Sequence, residues 1–139
     1  MFNSIRPISF RNLSDAEIDT SASEVCLVGK NGQGKSNFLE AIYFLAFGSS
    51  FRTHRDSDLI TLNNSSCSVI GNIQTPFKGS MRVSIEAGKK SIFIDNKKIE
   101  DRKQLIDIKP VIIFSHEDLQ IIVGEPEKRR WFFDQCASM

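Results

Sequence analysis

The chain has 139 residues, 18 of them Lys or Arg and 17 Asp or Glu, for a formal net charge of +1. That length suits one domain with its own core, and the balanced charge excludes a global field drawing the chain to nucleic acid or an anionic membrane, so any such binding must be local. Three cysteines, Cys26, Cys67 and Cys136, stand far apart with no C-x-x-C pair, which gives no zinc site or disulfide framework and fits a reducing cytoplasm.

The N-terminus lacks a basic region leading into a long apolar core, and the densest apolar run, Ala41 to Phe47, is far short of the roughly 20 residues of a membrane span. The expectation is a soluble protein, not exported and without a membrane partner. Ile5 to Phe10 reads as a strand, with Pro7 placing it at a sheet edge because proline cannot donate to a ladder. Ser14 to Ser23 is polar and reads as an exposed turn region. Val25 to Val28 is an apolar run that reads as a buried strand, forming a hairpin-like pair with the first and burying the Cys26 thiol.

This strand leads into Gly29-Lys30-Asn31-Gly32-Gln33-Gly34-Lys35-Ser36, the spacing G-x-x-x-x-G-K-S. Each fixed position has a physical reason. Glycines permit positive φ and remove the Cβ atoms that would hold a polyphosphate away, so successive amides can point inward. A helix starting near Ser36 adds the positive end of its dipole. The Lys35 ammonium can bridge β- and γ-phosphates, and the Ser36 hydroxyl can take one position in a Mg²⁺ shell. The expected cofactors are ATP and Mg.

Phe38, Leu39, Ile42, Leu45 and Ala46 then mark one face of a helix that stops at Gly48. Ser49 to Arg55 is a basic loop with Phe51 tucked toward the core, and Asp56 to Leu62 is a short helix or turn. From Cys67 to Ile99 the period becomes two, with turn chemistry at Ala87-Gly88 and Asn96-Lys97, which predicts an antiparallel meander of three strands or more. Lys89-Lys90 and Lys97-Lys98 read as solvated charges at its turns. Asp101 to Ile106 is a helix candidate, and Val111 to Phe114 is a continuous apolar run suited to a strand buried on both faces. Ser115 and Asp118 cap a helix through Ile122, and Glu125-Pro126 opens another containing Lys128-Arg129-Arg130 and Trp131-Phe132-Phe133.

Phe10-Arg11-Asn12, Gly29 to Thr53 (GKNGQGKSNFLEAIYFLAFGSSFRT) and Glu117 to Asp134 (EDLQIIVGEPEKRRWFFD) together resemble the amino-terminal part of the RecF family. These are bacterial recombination-mediator ATPases related to SMC heads and ABC-type ATPases. The family usually has proline at His116, just before the third segment, and within it a small residue or Asp at Glu125 and an aliphatic at Phe133. The family continues well beyond this length with an arm, an LSGGQ-like signature and an acidic Walker B strand, so the chain reads as an amino-terminal fragment covering the first lobe.

The resemblance implies an α/β phosphate-loop NTPase head of the ABC/SMC type, with a mixed sheet around the phosphate-loop helix and an antiparallel β subdomain. Residues 1–62 and 100–139 would form the core and 63–99 the subdomain. It implies an ATP-binding lobe of a DNA replication, repair and recombination protein, connected to the SOS response. Such a protein would engage single-strand/duplex junctions as an ATP-dependent homodimer, together with other recombination mediators. The complete relative would be a slow DNA-dependent ATPase; no catalytic residue falls within this stretch. By the same resemblance Arg11 and Asn12 border the nucleotide, Asn31 belongs to the SMC-like loop pattern, and Arg52 reaches phosphates or DNA. Glu117 and Gln120 fall in a segment that senses magnesium and γ-phosphate, although from the residues alone they read more readily as a capped helix start. Arg55, Arg129 and Arg130 are further candidate contacts to DNA or phosphate. From the residues alone, a small phosphate-loop kinase or nucleotidase and a nucleotide-responsive binding module without turnover stay open.

Overall fold

The computed structural model describes residues 2–74, 78–100, 105, 108, 111–114, 126, 127 and 130. The strands are β1 (Phe2–Ile8), β2 (Ile18–Asp19), β3 (Ser66–Ile73), β4 (Gly79–Glu86), β5 (Lys89–Ile94) and β6 (Lys97–Ile99); α1 (Lys35–Phe47) and a 3₁₀ turn (Asp56–Leu59) lie between β2 and β3. They form one six-stranded sheet in the order β2-β1-β3-β4-β5-β6, with every pairing antiparallel.

The meander forms where the sequence alternates. Cys67, Val69 and Ile73 of β3, Met81, Val83 and Ile85 of β4 and Ile92 of β5 are all buried, while the residues between them face the other side, as a period of two requires. Cross-strand partners Pro7, Val69, Val83, Ile92 and Ile99 form one inward row. Ala87-Gly88 and Asp95-Asn96 close the two hairpins with positive φ at both positions, the backbone twist that tight hairpins favour. Pro7 does lie on an edge: β2 covers β1 only at Ser4 and Ile5, so beyond them that side of β1 has no neighbouring strand among the described residues.

α1 packs on this sheet. Phe38, Ala41, Phe44, Leu45 and Ala46 are buried, and the Phe44 ring lies 5.6 Å from that of Phe10. The buried face therefore differs from the expected one, because Leu39 is 47% exposed and Ile42 only partly buried. Those two line instead a cavity of about 630 Å³ at one flank of α1, shared with Phe2 and Ile5 of β1 and with Val25, Leu27 and Val111. A helix apolar on both sides is one that packs on both sides.

Other expectations are corrected. Val25–Val28 has no regular secondary structure, Val28 is 89% exposed, and Cys26 is exposed. The first strand pairs with β2 and β3 instead. An apolar run becomes a strand only where another strand takes its backbone groups, and none of the described strands runs beside this one. Val111–Phe114 likewise has no regular structure, with Ile112 and Phe114 exposed. The polar stretch before Val25 holds β2 and a buried Thr20, whose hydroxyl donates to the Phe2 carbonyl at 2.7 Å. Phe51 is 38% exposed and meets Tyr43 edge-on, at the margin of the core. Lys90 is half-buried and pairs with Asp56 at 2.9 Å, so it ties the 3₁₀ turn to the sheet instead of standing free in solvent. Cys67 is the buried thiol, and burial pushes its pKa up to about 11. Leu105, Ile108, Pro126, Glu127 and Arg130 are helical; the rest of the expected helices, with Cys136 and Trp131–Phe133, lies outside the described residues.

Gly71 lets α1 approach β3. A Cβ there would stand 2.3 Å from Leu45 Cδ2 and 2.9 Å from Phe2 Cδ1, and both neighbours are buried and cannot swing away. Gly71→Ala is expected to destabilise the chain by about 1–3 kcal/mol through overpacking, read from urea unfolding. An unchanged midpoint would contradict this close approach.

Candidate functional site

The connection from residue 29 to the start of α1 turns tightly. Gly34 has φ +95°, and a side chain there would also meet Leu13 Cδ2 at 2.8 Å and Asn12 Oδ1 at 2.9 Å. Gly34 is the N-cap of α1 without any side-chain cap, and the first turn carries no acidic residue. The first amides of the helix, orphans by helix geometry, are thus left for an anion. At Gly32, also at positive φ, a Cβ would meet nothing within 4 Å, so the loop opens onto free space. The Lys35 ammonium curls back over the loop and donates to the carbonyls of Gly29 and Lys30, each at 2.8 Å. Ser36 is exposed at the helix start. Lys30, Asn31 and Gln33 are exposed around the rim.

Arg11 and Asn12 follow β1 and reach this region in different ways. Asn12 Nδ2 donates to the Gly32 carbonyl at 2.8 Å, so Asn12 touches the loop itself. Arg11, held at φ +52°, turns its guanidinium to α1, where Nε and Nη2 donate to the two carboxylate oxygens of Glu40 at 3.0 and 2.8 Å. Glu40 has no exposed surface. Its carboxylate also accepts from the Ser50 hydroxyl at 2.5 Å and from Arg52 at 3.3 Å. Arg52 Nη1 donates as well to Asn37 Oδ1 at 2.7 Å, and Asn37 Nδ2 donates to Asn12 Oδ1 at 2.8 Å.

The structure therefore brings residues 29–36, Asn12 and Arg52 into one connected region, with Arg11 beside it. Arg55 is exposed four residues before the buried Leu59, its amide donating to Thr53 Oγ1, and Arg130 is exposed on a helical position. Glu117, Gln120 and Arg129 lie outside the described residues. Sequence reasoning missed Glu40, Asn37 and Ser50. The signal for Glu40 was present: a lone carboxylate inside Phe38-Leu39-Glu40-Ala41-Ile42 must find partners if its helix is buried on both sides.

Comparison with known proteins places this geometry. The model for the RecF/RecN/SMC N-terminal domain matches residues 1–122. The chain belongs to that family. The family fold is the phosphate-loop NTPase head, here with its antiparallel sheet. Among similar curated proteins, the DNA replication and repair protein RecF of Treponema pallidum is 43% identical over 95% of this chain and 38% of its own length. The RecF of Clostridioides difficile is 35% identical over 97% of this chain and 37% of its own length. The chain thus spans under two-fifths of the relatives it matches. A solved structure of the recombination mediator protein RecF-ATP superposes with a TM-score of 0.83 at 30% identity, over 99% of this chain and 39% of that one. A structure from work on SMC ATPases matches at a TM-score of 0.76 and 22% identity, over 96% of this chain and 97% of that one, a likeness of fold. Among the described residues no helix is long and apolar enough to cross a membrane.

The ion pairs around Glu40 are unequal. Removing the carboxylate leaves the half-buried Arg11 guanidinium without its partner and empties a fully buried position, whereas removing the 44% exposed Arg52 leaves Glu40 still paired with Arg11 and Ser50. Glu40→Ala is expected to destabilise the chain by about 3–5 kcal/mol and Arg52→Ala by under about 1 kcal/mol, both from chemical denaturation. Equal losses would show that Glu40 is not the buried anchor.

Proposed function

We propose that this chain is the ATP-binding lobe of a RecF-like DNA replication, repair and recombination protein. The observation that carries the reading is the cradle at residues 29–36. Uncapped helix amides, open space at Gly32 and the Lys35 ammonium converge where a polyphosphate would lie, in a chain whose solved neighbours include RecF-ATP. The residues fit ATP: amides of Gly32 to Ser36 would receive the β-phosphate, and Lys35 would exchange its two carbonyl acceptors for phosphate oxygens. Ser36 would hold Mg²⁺. Among the described residues no group of three or more His, Cys, Asp or Glu could hold a metal by itself, which suits an ion bound chiefly through phosphates and water.

In this reading residues 1–62 and 100–139 supply the phosphate-loop core and 63–99 the antiparallel subdomain, with β1 common to both. The exposed apolar runs at 25–28 and 111–114 would be strands of a sheet completed by the rest of a RecF-like head. ATP-dependent pairing of two such heads in the cytoplasm would bring basic groups onto one DNA-binding surface, with single-strand/duplex junctions as the substrate. Arg52, Arg55, Arg129 and Arg130 are the candidate contacts to nucleic-acid phosphates. Counterion release makes affinity follow the number of phosphates neutralised, so a chain of net charge +1 would bind DNA weakly by itself. Turnover would need a water-orienting carboxylate and further charge stabilisation, supplied by the complete head.

MgATP at about 100 times its dissociation constant is expected to stabilise the chain by roughly 2.7 kcal/mol. Lys35→Ala should abolish that shift while leaving the unliganded melting temperature nearly unchanged, and chelating Mg²⁺ should reduce it. The same shift in wild type and Lys35→Ala, by thermal unfolding, would overturn the assignment.

A further inference from the structure

Asn12 and Arg52 are not neighbours in space by direct contact, yet they are ends of one hydrogen-bonded series. Glu40 accepts from Arg52, Arg52 donates to Asn37 Oδ1, Asn37 Nδ2 donates to Asn12 Oδ1, and Asn12 Nδ2 donates to the Gly32 carbonyl. Arg52 donates at both ends, and from Arg52 to Gly32 every bond runs the same way. A guanidinium only donates, so Asn37 must present its oxygen to Arg52. That leaves the Asn37 amide nitrogen to face Asn12 Oδ1, which in turn leaves the Asn12 nitrogen to face Gly32. The carboxylate of Glu40, an acceptor with no exposed surface, fixes Arg52 at the far end, and Arg11 and Ser50 hold that carboxylate still.

The last bond bears on the phosphate cradle. In a planar trans peptide the carbonyl and the following N–H point in opposite directions. Holding the Gly32 carbonyl outward on Asn12 therefore aims the Gln33 N–H the other way, away from Asn12. Asn12 lies close against Gly34, where a Cβ would come within 2.9 Å of its Oδ1. We infer that Glu40 and Arg52 are positioning residues for the phosphate loop, acting through Asn37 and Asn12 to orient the Gly32–Gln33 peptide so that the Gln33 amide faces the nucleotide phosphates. This rests on the nucleotide-binding reading for its functional consequence, but the orientation of the peptide is a property of the chain alone.

The test is a double-variant cycle on exposed positions, which spares the core. Arg52→Ala and Asn12→Ala are each expected to weaken MgATP binding roughly two- to tenfold, the loss of one oriented hydrogen bond. The double variant should bind no more weakly than Asn12→Ala alone, because the two act in series. Arg52→Lys, which keeps a donor-only cation, should recover most of the affinity. In parallel, the Gln33 backbone amide resonance of Arg52→Ala should shift without nucleotide, although Arg52 does not touch Gln33. Losses that multiply in the double variant would mean that Arg52 acts on the ligand directly and would overturn the series, as would an unmoved Gln33 amide. Should wild type bind no MgATP, the proposed function falls, and the Gln33 amide still decides whether the series orients the peptide.

Discussion

A carboxylate with no solvent contact, Glu40 in the second turn of α1, is the interaction on which the arrangement of this site depends. A buried charge is tolerated only when paired and hydrogen-bonded, and Glu40 meets that demand by drawing in groups from separate parts of the chain. Arg11 comes from just beyond β1, and Ser50 and Arg52 come from the loop after α1. Satisfying one side chain thus ties the connection after β1 and the loop after α1 to the helix that begins at the phosphate loop. The Thr61 hydroxyl donates to the Arg11 carbonyl, and the Arg11 amide donates to Leu59, so the 3₁₀ turn is held to the same point.

α1 has to serve two surfaces. One side seats Phe38, Ala41, Phe44 and Leu45 on the antiparallel sheet, with Gly71 opening the close approach of Leu45. The other presents Leu39 and Ile42 toward Val25, Leu27 and Val111. The helix that carries Lys35 and Ser36 at its start is thereby held from the sheet side by close packing and at its N-terminal end by Leu13 and Asn12 against Gly34. A rigid base is what a loop of exposed backbone amides needs if those amides are to meet a ligand already oriented.

Local patterns were legible where local chemistry decides the outcome. The alternation of Val69, Met81, Val83 and Ile85 with polar residues specified the meander, and the spacing from Gly29 to Ser36 specified a loop entering a helix. Gly48 ends that helix as expected, in the left-handed conformation with its amide on the Phe44 carbonyl. What depended on distant partners was harder to see. Val25–Val28 has strand composition but no described strand beside it. The helix face was misread because apolar residues surround α1, and periodicity cannot rank two apolar sides. Glu40 was passed over since its partners lie 29, 10 and 12 residues away, beyond any helical spacing rule.

The central claim is that residues 29–36 receive the polyphosphate of ATP. Crystals of the chain grown with MgATP test it most directly. The β-phosphate is predicted within about 3 Å of the backbone nitrogens between Gly32 and Ser36, with Lys35 Nζ moved from the Gly29 and Lys30 carbonyls onto phosphate oxygens and Mg²⁺ against Ser36 Oγ. Nucleotide bound elsewhere on the chain, with Lys35 still on those two carbonyls, would contradict the account.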